Sequence, residues 1–138
     1  MDQPQFVALL NEDLGLEYRS LVQYIQHLST FKGLAAQTVR QELRGHVTQK
    51  LAHALTLAEQ IAFLGGLPTV VLPSVASEPN MDRGLHLELE QEQARLERYR
   101  ERVEQALALS LPDVAEALRS VLTQTQAHVR DLQSTLGR

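Results

Sequence analysis

Apolar residues recur along this chain at alternating steps of three and four, and the recurrence breaks only where glycine and proline cluster. From Phe6 the stripe passes through Leu10, Leu14, Leu21, Tyr24 and Leu28 to Phe31, where Lys32-Gly33 ends it. Asp2 with Pro4 and Gln5 in front of that stripe has the signature of a capped helix start. A second stripe extends over about 34–64 and stops at Gly65-Gly66-Leu67-Pro68. The segment 68–79, PTVVLPSVASEP, is too proline-rich for a helix and too long for a tight turn, so it reads as a crossover along the side of a bundle. A third helix is expected over about 80–109. Ser110-Leu111-Pro112-Asp113 offers a capping serine, a first-turn proline and an acidic residue to open a fourth, which ends near Gly137. Four helices of roughly 25–30 residues, each about 40 Å long, predict one all-α domain over residues 1–138, an elongated four-helix bundle.

The inward seam can be carried through the places where each stripe meets a polar residue. In the first helix it runs 10, 14, 17, 21, 24, 28, 31 and is interrupted by Glu17; in the second it runs 39, 43, 46, 50, 53, 57, 61, 64, with His46, Lys50 and His53 in the middle. The third seam, 85, 89, 92, 96, 99, 103, carries Glu92, and the fourth, 114, 118, 121, 125, 128, 132, carries Thr125 and His128. On helices that run up and down, these interruptions fall at similar depth and should meet. A buried carboxylate costs several kcal/mol unless a cation or donors compensate it, so Glu17 and Glu92 require a counter-charge, either a metal ion or Lys50. Two carboxylates and two imidazoles, Glu17, His53, Glu92 and His128, form a donor set suited to Fe, Mn or Zn. Tyr24 and Tyr99 are placed to donate hydrogen bonds to the carboxylate one heptad away, and His46 reads as a near-core histidine or an auxiliary ligand.

Composition narrows the field further. Hydrophobic residues make up 43%, aromatics only 4%, tryptophan is absent and there are 25 leucines, so the core is aliphatic and helix is favoured throughout. A net charge of −4 without a basic patch argues against nucleic acid as a partner. The lack of cysteine removes disulfides, thiolate metal sites and cysteine catalysis. No apolar run approaches the roughly 20 residues that span a bilayer, and the start lacks a signal-peptide pattern, so a soluble cytoplasmic protein without membrane contact is expected. No serine–histidine–acid set or glycine-rich phosphate loop supports a hydrolase or nucleotide-binding reading. The arginine-rich run from Arg95 to Arg102 is interleaved with Glu97 and Glu101 and reads as a solvated helix face. The apolar residues of the crossover read as a cover for the bundle, with a subunit contact as the alternative.

Taken together, these features resemble the ferritin-like superfamily, specifically bacterioferritin-type bundles, over nearly the whole chain. Glu17 followed by Gln23-Tyr24 and His27 is similar to that family's first-helix glutamate ligand with its tyrosine, IAFLGGLP at 61–68 to its second-helix ending, and Glu92 with Tyr99 to its third-helix ligand. His53 and His128 match its two histidine ligands. The family builds a dinuclear iron centre from one Glu on each of two helices and a Glu-x-x-His on each of the others. The resemblance implies an up-down-down-up bundle with a long second crossover and metal ligation by Glu17, His53, Glu92 and His128; assembly through the helices as a homo-oligomer, dimer or larger, is expected. Both bridging glutamates are replaced, by Lys50 in Lys-Leu-Ala-His53 and by Thr125 in Thr-Gln-Ala-His128, and Leu51 stands where bacterioferritins carry a haem-ligating methionine, so no haem is expected.

Four carboxylates balance two divalent ions, whereas Glu17, Glu92 and Lys50 sum to about −1 and leave room for one at most. Three readings stay open on this ground. The first is a degenerate centre that holds one Fe, Mn or Zn ion or none, with little ferroxidase activity. The second is iron oxidation and storage of the bacterioferritin type. The third is a metal-free structural or interaction module with a Lys50–carboxylate salt bridge in its core.

Overall fold

The computed structural model describes residues 1–137 and contains four α-helices, α1 (Gln3–Thr30), α2 (Ala36–Phe63), α3 (Met81–Ala108) and α4 (Pro112–Leu136). The expected capping box opens α1: the Asp2 carboxylate accepts from the Gln5 backbone N–H at 2.9 Å, and the Gln5 side chain accepts from the Asp2 N–H at 2.9 Å. Asn80 caps α3 by accepting from the Arg83 N–H at 3.0 Å.

Ser110 does something other than cap α4. It takes a left-handed φ of 60° and ends α3, with its N–H bonded to the Leu107 carbonyl and the Leu111 N–H to the Ala106 carbonyl. This is the paired bonding of a Schellman turn, and Gly65, at φ 86°, closes α2 in the same way. The last carbonyls of α3 need partners, and Pro112 starts α4 without a side-chain cap.

Side-chain pairs between helices fix the topology. Along α1 and α3, Asp13 meets Arg102, Glu17 meets Tyr99, Tyr24 meets Glu92 and His27 meets Glu88, so the two run antiparallel. Between α2 and α4, Glu42 meets Thr135, His46 meets Asp131 and His128 meets Gln49, again antiparallel. Tyr24 beside His46 and Glu17 beside His53 make α1 antiparallel to α2 as well. Hence α2 and α3 are parallel and the bundle is up-down-down-up, as expected. The connection 64–80 spans the long axis: a 28-residue helix is about 42 Å long, within reach of an extended chain at about 3.3–3.6 Å per residue. It is strapped to α1 by Thr69, whose N–H donates to Asn11 Oδ1 at 2.8 Å and whose carbonyl accepts from the Tyr18 hydroxyl at 2.9 Å. Val70 and Val71 nevertheless point to solvent, at 92% and 69% exposure, so this part of the strap does not cover the core as the sequence led us to expect.

The interior has three layers. Phe6, Leu10, Leu57, Ile61, Leu118 and Val121 fill one end, and Phe31, Leu43, Leu85 and Leu132 fill the other. Between them lies the polar layer. In α2 and α4 the expected seam is buried except for Leu64, which is only partly so, and it is widened by Ala36, Ala54, Ala115 and Val129. In α1 and α3 the seam is rotated by one flank: Asp13, Ser20 and His27 are buried where Leu21 and Leu28 are only partly so, and Glu88, Arg95 and Arg102 are buried beside the expected positions. The solvated-face reading of the arginine run therefore fails for Arg95 and Arg102, each 2% exposed, and holds for the Arg100–Glu97 surface pair.

Close approach of α3 to the end of α1 depends on Gly84, where an added Cβ would lie 2.6 Å from the ring of Phe31. Gly84→Ala is expected to destabilise the bundle by about 1–3 kcal/mol in urea unfolding, through displacement of a ring that is itself buried.

Candidate metal centre

Two antiparallel helix pairs each bring one glutamate and one histidine to the middle of the bundle. Glu17 on α1 lies 3.9 Å from His53 Nδ1 on α2, and Glu92 on α3 lies 3.8 Å from His128 Nδ1 on α4, all four side chains being buried. Each histidine is held from behind by a glutamine on the facing helix, His53 Nε2 by the Gln124 Oε1 and His128 Nε2 by the Gln49 Oε1. With the ring proton on Nε2 donating outward, each Nδ1 lone pair faces a carboxylate, and Glu17 Oε2, Glu92 Oε2 and both Nδ1 atoms lack hydrogen-bond partners. This is the orientation in which imidazole ligates a metal.

The centre of the layer is taken by cations. Lys50 Nζ and Arg95 Nη2 both donate to Glu92 Oε1; Arg95 Nε lies 3.7 Å from Glu17 Oε1, and its Nη2 also donates to Ser20 Oγ at 3.0 Å. Lys50 Nζ further lies 4.7 Å from the centre of the Tyr24 ring. Burial would raise the Glu92 carboxyl, but Arg95 and Lys50 more than offset it and hold the group well below the ordinary carboxylate range. Burial lowers the Lys50 ammonium, and Arg95 adds to that, while Glu92 and Glu17 pull the other way. For Arg95, burial opposes the charge, yet Glu92 and Glu17 outweigh it and raise the guanidinium above its usual range. Glu17, Glu92, Lys50 and Arg95 together carry no net charge, where Lys50 alone left about −1.

Thr125 cannot replace a bridging carboxylate, since its hydroxyl is neutral and donates to the Val121 carbonyl at 2.8 Å. Glu17, His53, Glu92 and His128 stay as two separate pairs: among the described residues, the group of three or more His, Asp or Glu ligand atoms lying within 4.8 Å of one another is Glu42, His46 and Asp131, at the edge between α2 and α4. The residues of the central layer do not fit a two-iron centre. Lys50 and Thr125 supply no carboxylate to the layer, and two fixed cations neutralise Glu17 and Glu92.

The tyrosines do bond the carboxylates, but across helices. Tyr99 donates to Glu17 Oε1 and Tyr24 to Glu92 Oε1 at 3.5 Å, because one heptad along the same helix is a rise of about 10 Å, whereas the antiparallel neighbour brings the opposite tyrosine level. His46 is buried and connects the layer to the surface, Nδ1 lying 3.5 Å from the Tyr24 hydroxyl and Nε2 3.1 Å from Asp131 Oδ2.

Arg95 is the functional residue that reading for apolar periodicity missed. Its signal was in the sequence all the same: Glu88, Glu92, Arg95, Tyr99 and Arg102 recur at steps of four and three, a polar stripe beside the leucine stripe, and Asp13, Glu17, Ser20, Tyr24 and His27 form its counterpart.

An up-down-down-up bundle with one glutamate and one histidine contributed by each antiparallel pair at mid-height has the plan of the carboxylate–histidine metal bundles. A model of the ferritin-like domain family matches residues 7–138, and the chain belongs to that family. A solved structure described as a ferritin-like, diiron-carboxylate protein from Bacillus anthracis str. Ames is similar over 99% of this chain and 99% of its own, with a TM-score of 0.93 and 28% identity. No curated protein matches in sequence.

Two outcomes follow from the electrostatics. Arg95→Met leaves the two buried glutamates with Lys50 alone and should destabilise the fold by about 3–5 kcal/mol in chemical denaturation. Burial lowers the His128 imidazole from 6.5 to about 4, against the opposing pull of Glu92, and burial lowers His53 as well. With the folded value below the unfolded one, protons bind the unfolded chain preferentially, so stability should fall as pH drops from 6.5 toward about 4 and be level in this respect above 6.5. The denaturation midpoint measured across that window checks this, and His128→Asn should flatten the slope.

Proposed function

We propose that this ferritin-like protein has exchanged its dinuclear metal centre for an internal ion-pair cluster and acts as a structural or interaction module with little or no ferroxidase activity. The observation that carries the reading is the convergence of Lys50 Nζ and Arg95 Nη2 on Glu92 Oε1, in the layer where a metal would need that carboxylate. Binding two irons there would require expelling or deprotonating two buried cations, and the charge balance already reached leaves no driving force for it.

A second reading, one Fe, Mn or Zn ion on a Glu–His pair, is supported by the unpartnered Glu17 Oε2, Glu92 Oε2, His53 Nδ1 and His128 Nδ1 atoms. It is disfavoured because each pair supplies only two protein ligands, below the three or four that hold such ions tightly.

As for partners, the outer face of α1 and α2 leaves Val22, Ile25, Leu51 and Leu55 at 39–62% exposure, a patch suited to pairing with a second copy. No helix among the described residues is long and apolar enough to cross a membrane. We place the homo-oligomer in the cytoplasm, without haem, nucleic acid or membrane as partners.

Oxygen-dependent oxidation of Fe(II), followed by absorbance, should proceed no faster with the protein than with buffer. Restoring both carboxylates in Lys50→Glu/Thr125→Glu, together with Arg95→Leu, should accelerate it at least tenfold. Rapid oxidation by the parent chain that disappears in Glu17→Gln would overturn the proposal.

A further inference from the structure

The charge balance of the central layer contrasts with the edge between α2 and α4. There Glu42 and His46, one turn apart on α2, meet Asp131 on α4, with one ligand atom from each lying within 4.8 Å of the others. Two donors on one zinc-sized ion, each at about 2.0–2.2 Å, lie no more than about 4.4 Å apart, so small side-chain adjustments suffice to close the group. In the central layer two cations answer two carboxylates; at this edge, among the described residues, neither Glu42 nor Asp131 forms an ion pair with lysine or arginine.

The three donors are also held in different ways. Thr135 Oγ1, one turn beyond Asp131 on α4, donates to both Glu42 oxygens, at 3.0 and 2.9 Å, and so steers that carboxylate toward α4. His46 is 4% exposed, stacks on His128 with ring centres 4.1 Å apart, and has only its Nε2 edge directed outward, to Asp131. Its other nitrogen faces the Tyr24 hydroxyl, which in turn reaches Glu92. When Nε2 ligates, the ring proton must sit on Nδ1; there it donates to the tyrosine oxygen, whose own hydrogen goes to Glu92. The buried relay therefore accommodates the tautomer that ligation needs, the usual support behind a metal-bound imidazole. Asp131, its side chain 52% exposed, keeps the position open to water for the remaining coordination sites.

We propose that Glu42, His46 and Asp131 form a mononuclear site for a first-row divalent transition ion, located at the α2–α4 edge and separate from the central layer. Two carboxylates match the charge of one divalent ion, and the imidazole selects Mn, Fe, Co or Zn over Mg or Ca, which take oxygen donors. The site does not depend on how the central layer is read, and the test separates the two.

Calorimetric titration of chelator-treated full-length protein with Zn(II) should give one ion per chain, with Mg(II) at least 100-fold weaker. Glu42→Gln and Asp131→Asn, at positions with solvent access, should each weaken Zn(II) binding at least tenfold while circular dichroism stays helical; Glu17→Gln should leave it unchanged. No binding by the parent chain overturns the proposal, as does binding that both edge variants retain. Loss in Glu17→Gln with the edge variants unaffected would place the ion in the central layer and overturn this site and the ion-pair function together.

Discussion

Two glutamates in the middle of four apolar helices impose the condition that the rest of this bundle satisfies. A carboxylate removed from water needs a compensating charge and donors for its lone pairs, and neither can come from leucine. Here each glutamate is met by a tyrosine from the opposite helix and shares Arg95, while Lys50 completes the set on Glu92. Pairing of this kind contributes less to net stability than apolar packing of equal volume, but removal of any one member strands the others. The layer is thereby bound to stay whole.

That condition reaches outward through α1 and α3. Arg95 lies level with Ser20; one heptad to either side, Asp13 holds Arg102 and His27 holds Glu88. The contact between these two helices is thus a ladder of polar rungs, and the leucines beside it pack toward the other helices. Antiparallel polar rungs also specify register, because a slip by one turn would separate every buried charge from its partner.

The family relationship and the site chemistry point in different directions, and the conflict is local. The chain shares 28% identity and nearly its whole length with a protein described as diiron-carboxylate, yet in the middle of its own bundle Lys50 and Arg95 are paired to Glu92. Lys50 and Thr125 stand where the resemblance to bacterioferritin-type bundles would put bridging carboxylates. Glu17 faces His53 and Glu92 faces His128, each Nδ1 being turned inward because the ring's Nε2 is held by Gln124 or Gln49. Fold membership therefore describes the scaffold, and the ions it can accept are decided by the charges now inside it.

Helix number, lengths, the helix start at Asp2, the long crossover and the shared depth of Glu17, Lys50, His53, Glu92 and His128 were all legible in the sequence. Each follows from local chemistry or from the 3.6-residue period, which acts along one helix at a time. The burial of Arg95 and Arg102, the crossing of Tyr24 and Tyr99 to the opposite carboxylates, and the grouping of Glu42, His46 and Asp131 were decided only by the tertiary structure. A helical stripe gives the direction of a face to within one flank, and leucines at 21, 28 and 89 pulled the reading toward theirs. Which flank is inward depends on what the neighbouring helix offers, and Asp13 and Glu17 on α1 make a buried arginine on α3 cheaper than an exposed one left unpaired.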